Sequence, residues 1–407
     1  MDNSFLKKLN SENISGVAYK NINLKKAVLG HFSNVGNATI SELCKELNLS
    51  VPKVTMLLND LIEDGLVQEY GKMETSGGRK PSIYGLASDS GFFVGVDVKH
   101  NHINIGLTDL QKRLIKIVKH VDYKLENNRE SLEALCAIIT DFINQLPIAR
   151  EKILGIGLNL TGRVNHATGY SYSYFYFNEE PLSQFIESKL NINVFLENDT
   201  RAMAYGEFCV GNVQDERNVL FLNVDYGIGL GILIDGQLYY GKSGFSGEFG
   251  HIPFFDNEIM CHCGKKGCLE TESSGAALVR MFREKIKEGS SSILTKTMKP
   301  EEIQLEHIID AAHNDDILAI ELIGRVGENI GRGIALLINI FNPELVIIGG
   351  ALAATEDYIR LPIKSAMNKY SLSLLSNATA LKMSRLGDEA GVIGACLLAW
   401  QRVLSQV

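Results

Sequence analysis

Two periodicities divide the chain. From Asn21 to Leu86 apolar residues recur at helical spacing and then in short extended runs. Beyond Gly91 nearly continuous apolar runs alternate with amphipathic stretches. In the first region Leu24, Val28, Leu29 and Phe32 share one helical face. Gly36-Asn37 interrupts, and Thr39 precedes a second short helix over Ile40–Leu47. Asn48-Leu49-Ser50 reads as a turn. Ser50 suits an N-cap, and Pro52 suits the first turn of the next helix, where its missing N–H costs nothing. That third helix is predicted from Val51 to Asp64, with Val54, Leu58, Leu61 and Ile62 as its inward stripe and Gly65 as its stop. Leu66–Tyr70 and Ser82–Leu86 read as two short strands around the loop GKMETSGGRKP. This order is that of a winged helix-turn-helix over residues 21–88. Residues 1–20, polar and aperiodic, read as a flexible arm.

After a short linker, Ala87–Gly91, the pattern predicts strands at Phe92–Asp97, Ile103–Asp109 and Leu114–Val121, a helix at Ser131–Gln145 and a strand at Ile153–Leu158. A similar order returns: strands Val219–Val224 and Gly231–Ile234, a helix Glu328–Phe341, and a buried strand Leu345–Ile348 closed by Gly349-Gly350. Two such halves predict a duplicated α/β body over residues 91–407.

Composition narrows the class. The 407 residues are 45% hydrophobic and 22% charged, which excludes collagen-like, disulfide-dense and wholly disordered chains. The net charge of −8 falls entirely beyond residue 90, since residues 1–90 carry ten charges of each sign. The neutral first segment therefore tolerates phosphates better than the rest. The start MDNSFLKKLNSEN lacks the apolar core of an export signal. The longest apolar region, Gly333–Ala354, is broken by Asn339, Asn342, Pro343 and Glu344, so no membrane insertion is expected. The expectation is a cytoplasmic protein with reduced thiols. Four scattered cysteines, Cys44, Cys136, Cys209 and Cys396, read as small core residues.

The other three cysteines cluster. In GEFGHIPFFDNEIMCHCGKKGCLE, His251, Cys261, Cys263 and Cys268 supply one imidazole and three thiolates, a full tetrahedral set for structural zinc with no position left for water. Gly264 and Gly267 let the chain fold around the ion. His262, between two ligands, is expected to point away. In the first region Ser50, Lys53, Thr55, Met56 and Asn59 are the outward residues of the third helix, suited to a major groove. Lys72, Arg79 and Lys80 on the wing would meet the backbone or minor groove of a double-stranded DNA operator.

GEFGHIPF followed by CHCGKKGCLE resembles the signature of the ROK family of repressors, open reading frames and sugar kinases. GIGLNLTGRVNHATG, ENDTRAMAYGE, NPELVIIGG and GDEAGVIGACLLA resemble its other segments, from about Gly91 to Ala399. The stretch ending in SGGRKP is similar to the DNA-binding part of family members that repress sugar genes. The resemblance implies an actin-like, hexokinase-like two-lobed fold and a sugar, or its phosphate, in the interlobe cleft. It places sugar contacts at Asn198, Asp199, Glu248, His251 and Glu270. Asp199 stands at the position of the kinase base.

Phosphoryl transfer needs a phosphate cradle. Family kinases have Asp-x-Gly-x-Thr at the first strand turn. Here Asp97 is kept, but Lys99 and Asn101 replace the glycine and threonine. In the second phosphate segment Asp225 and Tyr226 stand where kinases have Gly and Thr. The expectation is a sugar-responsive regulator without catalytic residues, a repressor acting as a homodimer or homotetramer on a palindromic operator. The alternative is an ATP-dependent hexose kinase.

Overall fold

The computed structural model describes residues 16–72, 80–177 and 179–404. The chain divides into two compact units, Met1–Asn198 with Val392–Val407, and Asp199–Gly391.

The first unit opens with three helices, α1 (Val17–Val35), α2 (Ile40–Leu47) and α3 (Val51–Glu63). Residues 17–20, expected in the arm, are helical; residues 1–15 of that arm lie outside the described residues. α2 starts with a reciprocal capping box. The Thr39 hydroxyl accepts from the Glu42 N–H, and the Glu42 carboxylate accepts from the Thr39 N–H at 2.7 Å. Its exit is Asn48 in the left-handed region (φ 52°), a conformation short polar side chains tolerate. Ser50 occupies the N-cap of α3, but its hydroxyl makes no capping bond. The buried stripe of α3 is Val54, Leu57, Leu58 and Leu61; Ile62 is exposed, contrary to expectation. The reason is angular: at about 100° per residue the order around the helix is Leu57, Leu61, Val54, Leu58, and Ile62 comes next, off the edge of that stripe.

The wing is a three-stranded sheet in the order β1-β3-β2, with β1 (Ala38–Thr39), β2 (Val67–Lys72) and β3 (Ser82–Leu86). The two-residue β1 pairs Ala38 with Tyr84 and Thr39 with Ile83. Gly77, Gly78 and Arg79 of the loop lie outside the described residues. The linker Ala87–Gly91 is anchored rather than loose. The Ala87 N–H donates to the Leu66 carbonyl (2.9 Å), Ser90 Oγ to the Ala87 carbonyl (2.7 Å), and Lys152 Nζ to the Asp89 carbonyl (2.8 Å).

A five-stranded sheet follows, ordered β10-β7-β4-β5-β6, from β4 (Phe92–Val98), β5 (His102–Asp109), β6 (Leu114–Asp122), β7 (Ile153–Leu160) and β10 (Val194–Asn198). β4, β5 and β6 form an antiparallel meander, and β7 and β10 add in parallel. α4 (Arg129–Asn144) and α5 (Leu182–Leu190) contribute to one core cluster on this sheet. A small hairpin, β8 (Val164–Asn165) with β9 (Tyr170–Ser171), lies between β7 and α5 in the chain. The last helix, α13 (Ala390–Leu404), lies directly on the sheet. Gly157 on β7 makes this possible, because a Cβ there would sit 2.0 Å from the Ala395 carbonyl oxygen. The same helix joins the core of the helix-turn-helix: Cys396, Ala399, Trp400, Val403 and Leu404 cluster with Phe93 and Leu110 of the sheet and with Leu29, Leu57, Leu61 and Leu86.

The second unit repeats this topology. Its sheet runs β13-β12-β11-β14-β15, with β11 (Val219–Val224), β12 (Ile228–Ile234), β13 (Gln237–Leu238), β14 (Leu345–Gly349) and β15 (Ala380–Met383). Again three strands meander antiparallel and two add in parallel. The duplication expected from the sequence is therefore present strand for strand. α6 (Asp199–Val210), α7 (Glu270–Ser273), α8 (Gly275–Lys287), α9 (Leu305–His313), α10 (Ile317–Phe341), α11 (Asp357–Tyr370) and α12 (Ser373–Ala378) complete it. α10 begins eleven residues before the expected Glu328, capped by the Asp316 carboxylate on the Ala319 N–H (2.9 Å).

Candidate metal centre and carbohydrate site

In the second unit a 3₁₀ turn, Phe249–His251, and the loop that leads into α7 bring the metal candidates together. The loop is tied by the Cys261 N–H to the Lys265 carbonyl (2.8 Å) and the Gly264 N–H to the Cys261 carbonyl (2.9 Å). Gly267, at φ 67°, leaves no room for a side chain: its Cβ would lie 2.0 Å from the Phe255 carbonyl oxygen.

Donor atoms of His251, Cys261, Cys263 and Cys268 all lie within 4.8 Å of one another. The Sγ atoms of Cys263 and Cys268 are 3.7 Å apart, and Cys261 Sγ is 3.5 Å from His251 Nδ1. Zinc bonds of about 2.3 Å to sulfur and about 2.0–2.1 Å to nitrogen give tetrahedral edges of about 3.8 Å and about 3.5 Å. The donor set thus has the shape a zinc ion needs. Burial pushes the Cys261 thiol up to about 12, so without a cation it stays protonated, and metal binding expels that proton. His251 offers Nδ1 to the cluster while its Nε2 stands 3.8 Å from Glu248 Oε2. A carboxylate on the far nitrogen is how metal-bound imidazoles are oriented.

His262 does not point away. Its Nδ1 is 3.0 Å from Glu270 Oε1 and 4.0 Å from Cys261 Sγ, and its ring packs edge-on against His251 at 5.0 Å. The tight turn held by the Lys265 carbonyl and Gly264 amide swings it toward the start of α7. His251, His262 and Glu270 make a second set of donors sharing residues with the first. Glu270 is buried, and its other oxygen accepts the Ile228 N–H at 3.0 Å.

The sugar candidates fall in both units. Asn198 ends β10 in the first, where its Nδ2 donates to the Gly162 carbonyl at 3.1 Å. Asp199, the next residue, opens α6 of the second, and its Oδ1 accepts the Thr200 N–H at 2.7 Å. Glu248, His251 and Glu270 stand together in the second unit, as described. Behind Asp199, the Asn223 carboxamide donates to the Thr200 hydroxyl at 3.3 Å, next to Gly229.

Both turns expected to be damaged for phosphate carry internal pairings. Lys99 Nζ lies 3.2 Å from Asp97 Oδ2, with Asp97 fully buried. The Asp225 carboxylate accepts the N–H of Tyr226 at 2.8 Å, while Glu270 takes that of Ile228. Of the scattered cysteines, Cys136 and Cys396 are buried, whereas Cys44 and Cys209 are partly exposed. On α3, Ser50, Met56 and Asn59 are exposed and Lys53 and Thr55 half-buried. Lys53 donates to Asn21 Oδ1 at 2.6 Å, and the Thr55 hydroxyl back-bonds to the Val51 carbonyl at 2.9 Å. Lys72 and Lys80 are exposed; Arg79 lies outside the described residues.

A helix-turn-helix built onto a duplicated α/β body of the actin-like, hexokinase-like kind defines the class. The chain belongs to the ROK family, whose pattern matches residues 93–402. A second pattern, that of bacterial regulatory proteins of the arsR family, matches residues 28–69. The xylose repressor of Bacillus spizizenii is 29% identical, with 100% of this chain and 98% of that protein covered. The crystal structure of a ROK family transcriptional regulator, a homologue of the E. coli MLC protein, superposes with a TM-score of 0.80 at 28% identity over 95% of this chain and 96% of its own. A ROK family glucokinase from Streptomyces griseus, solved with glucose and AMPPNP, superposes with a TM-score of 0.68 at 26% identity over 76% of this chain and 100% of its own. Among the described residues, no helix is long and apolar enough to cross a membrane.

Proposed function

We propose that this chain is a sugar-responsive transcriptional repressor of the bacterial cytoplasm. The observation that carries this is the helix-turn-helix whose α3 presents Ser50, Met56 and Asn59 outward while its inner face shares a core with the ROK body. Those three residues read bases, with Lys53 and Thr55 beside them, and Lys72, Arg79 and Lys80 hold the phosphates or minor groove. One module makes few phosphate contacts, so a homodimer or homotetramer on a palindromic operator supplies the affinity. The full xylose-repressor length of the alignment supports the same assignment.

The effector is a sugar, held by Asp199, Glu248, His251 and Glu270 of the second unit, with Asn198 adjoining Asp199 in the chain. Paired carboxylates and amides match neighbouring hydroxyls, and a mismatched sugar leaves a buried polar group unpaired at about 1–3 kcal/mol. Zinc at His251, Cys261, Cys263 and Cys268 is structural: with four protein donors it has no open position, and it fixes the loop that carries His251 into α7. Kinase activity is disfavoured because the amides of Tyr226 and Ile228 already serve Asp225 and Glu270, and Lys99 already neutralises Asp97.

The test is a gel-shift titration on operators selected from random duplexes, with xylose, glucose, N-acetylglucosamine and their phosphate esters. One of these weakens operator binding at least about tenfold, a coupling of about 1.4 kcal/mol. Lys72→Ala lowers the slope of log affinity against log salt by about 1. If no carbohydrate shifts operator affinity, or if brisk ADP release accompanies any hexose, the proposal fails.

A further inference from the structure

His262 stands between two cysteines of the metal set, and none of the roles assigned above uses it. Its place in the second unit is nonetheless built. The Cys261 N–H bond to the Lys265 carbonyl and the Gly264 N–H bond to the Cys261 carbonyl close the turn that carries it, and a bridge pairing Met260 with Lys266 closes the base of that turn. The ring packs edge-on against His251, with centroids 5.0 Å apart and planes at 77°. Its Nδ1 lies 3.0 Å from Glu270 Oε1.

Glu270 gives that contact its meaning. Its Oε2 is enclosed by backbone: it accepts the Ile228 N–H at 3.0 Å, and a Cβ added to Gly227 would lie 2.8 Å from it and one added to Gly250 3.4 Å. Oε1 is the oxygen on the side of His262. A ligand that reaches the Glu270 carboxylate therefore reaches it beside the imidazole. The contacts continue to Glu248, whose Oε2 stands 3.8 Å from His251 Nε2. His262 thus joins the group of Glu248, His251 and Glu270 and is its most open member: its side chain is 74% exposed, against 47%, 27% and 11% for the other three. Whatever enters this group meets His262 first.

The chemistry of the ring follows from its neighbour. A bare nitrogen 3.0 Å from a carboxylate oxygen would set lone pair against lone pair, so in the neutral ring the proton sits on Nδ1 and Nε2 keeps the lone pair. Glu270 Oε1 and His262 Nε2 are then two neighbouring acceptors, which suit two hydroxyls on adjacent sugar carbons, each donating its proton.

We propose that His262 is a specificity-determining sugar contact, its Nε2 accepting one hydroxyl of a vicinal pair whose other hydroxyl meets Glu270. This rests on the sugar-responsive reading and adds a residue to its site.

The experiment is calorimetric titration of the intact protein with xylose, glucose, N-acetylglucosamine and their phosphate esters. For the ligand that binds the wild type, His262→Ala should weaken binding about tenfold or more. Two further variants separate contact from support. Asparagine places a polar atom where Nδ1 is and none at Nε2; glutamine reaches the place of Nε2. His262→Gln should therefore bind more tightly than His262→Asn, which should stay as weak as the alanine variant. Zinc content and Tm, read on the same samples, should match the wild type. Asparagine binding as tightly as glutamine, or more tightly, makes His262 a prop for Glu270 and overturns the contact. An alanine variant that binds like the wild type, or that loses zinc, overturns it as well. All of these leave the sugar-responsive reading standing. No heat from the wild type with any of the ligands overturns both.

Discussion

The helix-turn-helix and the C-terminal helix share one core, and Trp400 is where that claim can be broken. Trp400 is 3% exposed, in a cluster that holds Leu29, Leu57 and Leu61 of the DNA-binding module together with Phe93 and Leu110 of the sheet. Its Nε1 donates to the Leu110 carbonyl at 3.1 Å, and Lys112 Nζ stands 4.8 Å from its ring centroid. Trp400→Ala removes the largest side chain at this junction and should cost about 3–5 kcal/mol. Trp400→Phe keeps most of the ring but leaves the buried Leu110 carbonyl without its donor, for about 1–3 kcal/mol. For a unit of about 150–250 residues each kcal/mol moves Tm by about 2–4 °C, so the alanine variant should melt about 6–20 °C lower. The decisive part is what moves together. In urea unfolding followed by circular dichroism, and in limited proteolysis of the 16–72 region, the module should loosen with the first unit, and operator affinity should fall with it. If the module keeps its protease resistance and operator affinity while the body is destabilised by that amount, the two do not share a core, and the reasoning is wrong.

Other perturbations address single interactions. Thr39→Ala breaks the capping box of α2 and should cost about 1 kcal/mol at neutral pH. The Thr39 N–H and hydroxyl hold the Glu42 carboxyl below the usual carboxylate range, so its stabilisation is present above the unfolded-state value and lost as pH falls through the folded one. The wild-type advantage in urea midpoint should accordingly shrink on acidification; an advantage that grows in acid contradicts the assignment. Lys99→Met removes the partner of the buried Asp97 carboxylate. It should cost roughly 2 kcal/mol, less than the about 3–5 of a fully buried pair because the lysine side chain keeps 20% exposure, and it should yield no ADP with any hexose. Cys268→Ser should reduce bound zinc, measured by atomic emission, from one ion per chain to well below half; a purified wild-type protein with no zinc would refute the metal reading.

How far the sequence spoke depends on whether the signal was local. Helix α2, strand β3 and strand β11 have the bounds that periodicity predicts, because each is an apolar run closed by Gly, Asn or a polar pair. β1 was invisible, since two residues carry no period and exist as a strand only through Tyr84 and Ile83. Ile62 was misplaced by counting apolar residues instead of angles. The early start of α1 was hidden by Lys20 and Asn21, polar residues on the open side of an amphipathic helix. The cluster of His251 with Cys261, Cys263 and Cys268 was legible because a Cys-x-Cys with a third cysteine five residues on is short-range. His262 was not, because its neighbour Glu270 enters from the start of α7, and no spacing rule relates the two.

The duplicated topology gives a common meaning to the two turns expected to be damaged for phosphate. The turn between β4 and β5 and the turn between β11 and β12 occupy the same place in the two repeats, at the end of a central strand. Such a place is where backbone amides face a ligand's anionic group in open α/β sheets. In this chain each turn carries its own substitute. In the first, Asp97 and Lys99 lie two residues apart and so on the same side of the strand, and they cancel each other's charge. In the second, Asp225 turns back onto the Tyr226 N–H and Glu270 reaches the Ile228 N–H. An incoming triphosphate would have to displace two carboxylates and outbid the Lys99–Asp97 ion pair, and both carboxylates would repel it. A neutral carbohydrate faces none of these costs, because it exchanges hydrogen bonds with carboxylates instead of competing for the amides they hold. On the repressor reading proposed above, the same residues that crowd the turns against phosphate leave carboxylates in the second unit for a sugar's hydroxyls, a division of labour that suits a sensor.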